Sequence, residues 1–321
     1  MIISKTPFRV SLFGGSTDYK SYYEQHGSLL IGFAMDKYCY LSLRENPEIF
    51  SYKSKISYSK IEQVNDNKEI QHDGVRGALE YFQQMDKRWE MSYFSDFPAQ
   101  TGTGSSSAFM VGLINALKSE YNYSPYQLAK FAIEVERNHL KEPGGIQDQI
   151  WAAYGGFNSV EIKKDGDFRV RPLPISKDFI EEFFNRSFLI YTGKQRRSFR
   201  IASSSDTGSS DENKINIHKL ANDALHAFSN EDIESIAILL RQSWESKIQI
   251  SPLIAGEELL DTFRSLYAHG MIGGKLLGSG GSGFIFGIAK DSKSKQEIIN
   301  NFSGSYIDCS YSPEGSKIIH A

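Results

Sequence analysis

The residues whose types and spacing most directly offer chemistry lie in Pro98-Ala-Gln-Thr-Gly-Thr-Gly-Ser-Ser-Ser-Ala-Phe109. Gly102 and Gly104 admit backbone angles closed to other residues, and Ser105, Ser106 and Ser107 set hydroxyls and unpaired amides at the start of the helix expected next. The dipole of that helix favours an anion there, by about 0.3–1 kcal/mol per charge at an exposed end. A phosphate cradle and a serine-capped turn both fit this loop taken alone. Two more glycine-rich stretches accompany it, Gly14-Gly-Ser-Thr-Asp18 and Gly278-Ser-Gly-Gly-Ser-Gly283, with Arg9, Glu136 and Asp148 as charged candidates. Three such loops with an arginine, an acid on a helix and an acid in a turn are the equipment of phosphoryl transfer, which needs positioning and neutralised charge more than covalent chemistry.

Other motifs fall away on inspection. The 270–275 stretch is one residue short of a Walker A loop and is followed by leucine, and neither HExxH nor G-x-S-x-G occurs. Residues 278–283 match GxGxxG formally, but Phe284-Ile-Phe-Gly-Ile288 after them reads as a strand where the dinucleotide fingerprint requires a helix.

The elements that must position these residues follow from periodicity. Phe8, Val10 and Leu12 alternate with Arg9 and Ser11, so a strand runs into the 14–18 glycines with Arg9 on the face away from Phe8. Strands are expected at 28–33 and 38–44, a helix after an Asp73 N-cap, and a strand at 91–97 feeding the serine loop; 45–69 fits exposed strands or loops equally. Met110, Leu113, Ile114 and Leu117 form the buried stripe of the helix after the loop. Ser124-Pro-Tyr-Gln127 is a capping box opening a second helix, on which His139 packs or caps. Glu136 lies about 100° round from the buried Val135, placed either to reach a neighbouring loop or to face solvent. A turn at 142–149 then presents Gln147, Asp148 and Gln149, and Asp148 is either a helix cap or a reactive acid. Past a hairpin at 157–173, a strand at 187–191 leads to Lys194, Arg196, Arg197 and Arg200 among hydroxyls, a site for a small acidic ligand or a solvated loop. Long helices at 211–229, 231–249 and 255–269, strands at 274–277 and 284–289, a helix at 294–301 and a strand at 305–311 give an α+β pattern of the split βαβ kind, with domains 1–185 and 186–321.

Composition bounds the partners. The 321 residues suffice to divide a core between two domains, and a net charge of -3 with both signs interspersed offers no basic stripe for nucleic acid. Cys39 and Cys309 form neither a zinc cluster nor a disulfide framework and suit a reducing compartment. Without a signal-like start or an apolar run long enough to span a bilayer, the expected setting is cytoplasmic, without membrane or nucleic-acid partners; a homo-oligomer is left open.

The chain resembles the GHMP small-molecule kinases through three motifs in order, Pro7-Phe-Arg-Val-Ser-Leu-Phe-Gly-Gly-Ser-Thr-Asp-Tyr19, the 98–108 loop, and Lys275-Leu-Leu-Gly-Ser-Gly-Gly-Ser-Gly-Phe284. Within that family it is most similar to the D-glycero-D-manno-heptose 7-phosphate kinases, through Gly14-Gly-Ser-Thr-Asp18, Gln147-Asp-Gln149 and Gly155-Gly-Phe-Asn158. The resemblance implies an α+β fold of two domains, the first with a left-handed βαβ-type phosphate loop and the second ferredoxin-like. It implies an ATP- and Mg2+-dependent kinase for a sugar phosphate. In that reading Gly102, Thr103, Gly104, Ser105, Ser106 and Ser107 wrap the ATP phosphates, and Ser106 and Glu136 hold the magnesium ion. Asp148 accepts the proton of the attacking hydroxyl, with Arg9 beside it. Gly15, Ser16, Thr17, Asp18, Gln147, Gly280 and Gly281 would contact the acceptor, and Lys194, Arg196 and Arg197 its distal phosphate. Thr103, Ser16, Ser282 and Lys194-Gln195 depart from the family's usual residues. Related chemistry on an unphosphorylated sugar, as in galactokinase or fucokinase, and a non-catalytic sugar or ATP sensor are the competing readings.

Overall fold

The computed structural model describes residues 1–193, 206, 211–302 and 305–321. Its strands are β1 (Ile2–Phe13), β2 (Ser28–Glu45), β3 (Ser54–Ser57), β4 (Ile61–Val64), β5 (Trp89–Ser95), β6 (Phe157–Ile162), β7 (Phe168–Pro172), β8 (Ser187–Tyr191), β9 (Met271–Leu276), β10 (Phe284–Ala289), β11 (Tyr306–Ile307) and β12 (Lys317–His320). They form two sheets. The larger runs β12-β1-β2-β5-β3-β4, with β6 paired to β2 and β7 to β6. The smaller runs β11-β8-β10-β9, the 4-1-3-2 order of a ferredoxin-like split βαβ unit.

The two strands expected at 28–33 and 38–44 are a single strand, β2. The polar stretch between them stays extended because the chain's tail pairs with it: the Asp36 amide donates to Ser310 O at 3.0 Å and the Ser312 amide to Ala34 O at 2.7 Å. The ambiguous 45–69 region holds β3 and β4, antiparallel to each other, with β3 parallel to β5. The tail itself returns to the first sheet, where β12 pairs antiparallel with β1.

Helix Ser105–Leu117 is buried along most of its length and packs on β1 and β2. Beside it stand helix Pro125–Ile133, opened by the expected Ser124 capping box, and helix Gln147–Tyr154, which buries Trp151 completely. The helix after residue 72 is capped by the His72 ring, which accepts from the Val75 amide at 3.3 Å; Asp73 is its first residue rather than its cap. Among the described residues, no helix is long and apolar enough to cross a membrane.

A row of aromatic rings fixes the loop after β5 between the sheets. Phe97 stacks on Phe8 at 5.6 Å and meets Phe284 at 4.7 Å, and Phe284 in turn meets Tyr191 at 5.1 Å. The backbone follows, with the Phe284 amide donating to Thr101 O at 3.2 Å. Truncating a ring this buried removes both its transfer free energy and its neighbours' contacts. Phe284→Ala is therefore expected to lower stability by about 3–5 kcal/mol in urea unfolding. A loss below about 1 kcal/mol would show that the rings do not join the sheets.

Candidate active site

Arg9 is placed by irregular pairing on both sides of it. The register of β1 on β2 slips between Pro7 and Arg9 and again between Ser11 and Phe13. Such bulges re-aim side chains and admit proline. Arg9 is thereby turned into a cleft of about 1080 Å³ lined from both halves of the chain, large enough for two small ligands side by side. It is 4% exposed, and it meets Asp148 in two parallel bonds, Nε to Oδ1 at 2.7 Å and Nη2 to Oδ2 at 2.8 Å. Its third nitrogen, Nη1, donates to Gly102 O at 2.6 Å, while its own backbone amide donates to Thr103 O at 3.1 Å. One guanidinium thus ties the acid to the loop.

The glycines of that loop are required by what stands against them. Gly104 caps the following helix in the left-handed region, φ +74°, and a Cβ there would lie 3.2 Å from Asp148 Oδ2. A Cβ on Gly102 would stand 2.5 Å from Leu277 O, and one on Gly278 2.5 Å from Gly102 Cα. The first and third glycine loops therefore touch backbone to backbone.

Glu136 lies on one wide turn of π-helix, Glu134–His139, that continues helix Pro125–Ile133. It is 1% exposed and accepts from Ser107 Oγ at 2.9 Å, from Ser106 Oγ at 3.4 Å and from Gln149 Nε2. Burial pushes its carboxyl above the usual range, against the pull of Arg137 and these hydrogen bonds. A buried carboxylate grouped with serine hydroxyls is a hard-oxygen donor set, of the kind that suits Mg2+ bound through one or two carboxylates and substrate phosphates. His139, expected to pack or cap, sits at the rim 3.3 Å from Glu80 Oε2.

Asp18 closes the opposite end. It is 1% exposed and accepts from the Ser16 amide and the Gln147 amide, each at 3.2 Å. Burial, and secondarily the charge of Asp148, push its carboxyl up.

The expected residues Arg9, Gly15, Ser16, Asp18, Gly102, Gly104, Ser105, Ser106, Ser107, Glu136, Gln147, Asp148 and Gly280 all line this cleft. Thr17, Thr103 and Gly281 do not. The Thr17 hydroxyl is spent on Gly14 O at 2.7 Å and on Ser28, Thr103 turns inward to Thr101 at 3.2 Å, and the Gly281 amide donates to Ile254 O at 2.8 Å. Lys194, Arg196 and Arg197 lie outside the described residues. The cleft also holds groups that the sequence reading left out. Lys247 and Lys275 enter from the side of the smaller sheet, and Tyr58, His72, Tyr93 and Phe109 line an aromatic recess at the far end. Lys247 had one legible signal, since it follows Ile236, Leu240 and Trp244 on the buried face of its helix.

Two family models match this chain, the GHMP kinases N terminal domain over residues 73–156 and the GHMP kinases C terminal domain over 224–308. A D-glycero-alpha-D-manno-heptose 7-phosphate kinase of Campylobacter jejuni is 30% identical over 98% of both chains. The chain belongs to the GHMP kinase family. Two solved structures share the two-domain fold of this GHMP kinase. One, described as a D-glycero-D-manno-heptose 1-phosphate kinase from Bacteriodes thetaiotaomicron, has a TM-score of 0.81 and 22% identity, covering 100% of this chain and 99% of that one. The other, a putative sugar kinase from Campylobacter jejuni, has a TM-score of 0.78 and 26% identity, covering 99% and 97%. ATP is the phosphoryl donor of the family.

The buried acid gives a pH test of this geometry. A carboxyl raised on folding binds more protons in the native state, so its contribution to stability is present below the ordinary carboxylate range and is lost as pH rises through the raised value. In urea unfolding of the GHMP kinase without added ligands, wild-type stability is expected to decline from about pH 4 to about pH 7 and Asp18→Asn to flatten that decline. An unchanged slope would show that Asp18 is not held at that cost.

Proposed function

We propose that this kinase transfers the γ-phosphoryl group of ATP to the anomeric hydroxyl of D-glycero-D-manno-heptose 7-phosphate, giving the 1,7-bisphosphate and ADP for nucleotide-activated heptose synthesis. The observation that carries the reading is the two-pronged Arg9–Asp148 pair at the mouth of the 102–107 loop. The relative named for this substrate, similar along nearly the whole chain, supports the choice of acceptor. Residues 1–185 would supply the donor wall and 186–321 the facing wall, apart from β12, which pairs with β1.

In this reading the amides and hydroxyls at 102–107 hold the donor phosphates. Ser106 and Glu136 would hold Mg2+, which would supply charge neutralisation for the donor phosphates. Gly15, Ser16, Asp18 and Gln147 grip the sugar hydroxyls, with Gly280 facing them. Asp148 is the base. Arg9 occupies one lone pair on each of its oxygens, and the remaining lone pairs are free to take the proton of the attacking hydroxyl. As that proton moves, the bond from the anomeric oxygen to phosphorus forms and the bridging bond to ADP breaks. Arg9 orients the carboxylate and opposes the charge of the transferring group. Lys194, Arg196 and Arg197 would pair with the phosphate at the sugar's far end.

The test is ADP release with Mg2+ and ATP over hexoses, heptoses and their terminal phosphates. Heptose 7-phosphate is expected to be preferred, and preference for a free hexose would remove the assignment. Arg196→Ala is expected to raise KM for a phosphorylated acceptor, whereas an unphosphorylated acceptor predicts little change. Asp148→Asn is expected to keep ATP affinity and to lose about 10²–10⁴ in kcat. Near-normal turnover would refute its role as base.

A further inference from the structure

Lys247, on helix Ile233–Ile250, and Lys275, on β9, reach the cleft opposite Arg9 and Asp148. They are 5% and 3% exposed. Each commits one N–H to a backbone carbonyl, Lys247 Nζ to Gly278 O and Lys275 Nζ to Leu12 O at 3.0 Å. An ammonium has three donors, so each keeps two. Among the described residues neither forms an ion pair with a carboxylate. Burying ammonium groups in this way is costly unless an anion arrives. Beside them, the hydroxyls Ser11 Oγ and Ser282 Oγ, each able to donate, are buried without a hydrogen-bond partner. A Cβ built on Gly15 would still stand 3.8 Å from Lys275 Nζ and from Gln147 Nε2. This wall carries more donors than the protein uses.

Its position selects the anion. The carbonyl held by Lys247 belongs to Gly278, which packs on Gly102, whose own carbonyl is held by Arg9. Lys247 therefore stands at the seam of the two glycine loops, on the donor side. Lys275 stands by Gly15, on the acceptor side. Arg9, Lys247 and Lys275 thus bring three cations to one cleft with the carboxylates of Asp18 and Asp148. We propose that Lys247 and Lys275 are catalytic residues that, together with Arg9, donate hydrogen bonds to the oxygens of the phosphoryl group in transit. The proposal rests on the kinase reading above. No proton leaves either lysine, and the bonds made and broken are the two oxygen–phosphorus bonds already described. Charges this close also act on one another in the free enzyme. Burial first, and then the charge of Arg9, hold Lys247 down to about 8, while burial and the charge of Lys247 hold Lys275 well below its ordinary value; Asp18 pulls both up, joined by Asp148 at Lys247.

The test uses the full chain with ADP, Mg2+ and aluminium fluoride, a mimic of the phosphoryl in transit that needs no acceptor sugar, alongside ADP alone, both by calorimetry. Lys247→Met and Lys275→Met are expected to bind ADP within about threefold of wild type and the fluoroaluminate complex about 10²–10³-fold more weakly. Thermal unfolding reports whether each variant folds, and Lys247→Gln and Lys275→Gln serve where methionine does not. In turnover assays kcat/KM of wild type is expected to fall as pH rises through about 8, and Lys247→Arg is expected to move that fall upward. Folded variants that bind the fluoroaluminate complex as wild type does, or a wild type that does not form it, overturn the proposal. A wild type that forms the complex in a lysine-dependent way yet ignores heptose 7-phosphate overturns the acceptor assignment instead.

Discussion

The guanidinium of Arg9 is the contact on which the rest of the cleft depends. Two of its nitrogens hold both oxygens of Asp148, the third holds the carbonyl of Gly102, and the backbone amide of the same residue holds Thr103. The acid and the phosphate loop come from segments about 45 residues apart, so only a group with donors fixed in a plane could set both at once. A lysine at this position would be a point charge, with no means of orienting the carboxylate. The bulges flanking Arg9, the proline before it and the missing Cβ at Gly104 all serve that placement.

Charge is distributed around this pair in two further groups. Asp18 and Glu136 are buried carboxyls pushed up by desolvation, and Lys247 and Lys275 are buried ammoniums pushed down by it. Each is buried at a cost to the folded protein, and each faces the cleft. A nucleotide, a cation and an acceptor would supply the missing counter-charges and hydrogen bonds together. Stability given up in this way is a common cost of a preorganised site.

Much of this was legible in the sequence, for identifiable reasons. Alternation along a strand turned Arg9 away from Phe8 and a glycine-containing turn presented Asp148, but it was the resemblance to the GHMP kinases that paired them. The serine loop and the glycine loop at 278–283 declare themselves by composition. The unity of β2 was hidden because the bonds that keep 34–37 extended come from the tail, some 275 residues away. The π-type turn that carries Glu136 lies outside a 3.6-residue period. Lys247 sits at a buried helical position, but a lysine there ordinarily extends its ammonium to water, and periodicity does not say which way a long side chain runs. The hydroxyls of Thr17 and Thr103 bond within their own loops, to Gly14 O and Thr101, which loop composition alone did not indicate.

The claim that Arg9 and Asp148 act as one unit is tested most directly by a double-mutant cycle on single-turnover phosphoryl transfer, with Arg9→Met, Asp148→Asn and the double variant. Groups that work only together lose their effect together. The double variant is expected to be no slower than the slower single variant. Rate losses that multiply across the two sites would contradict the account.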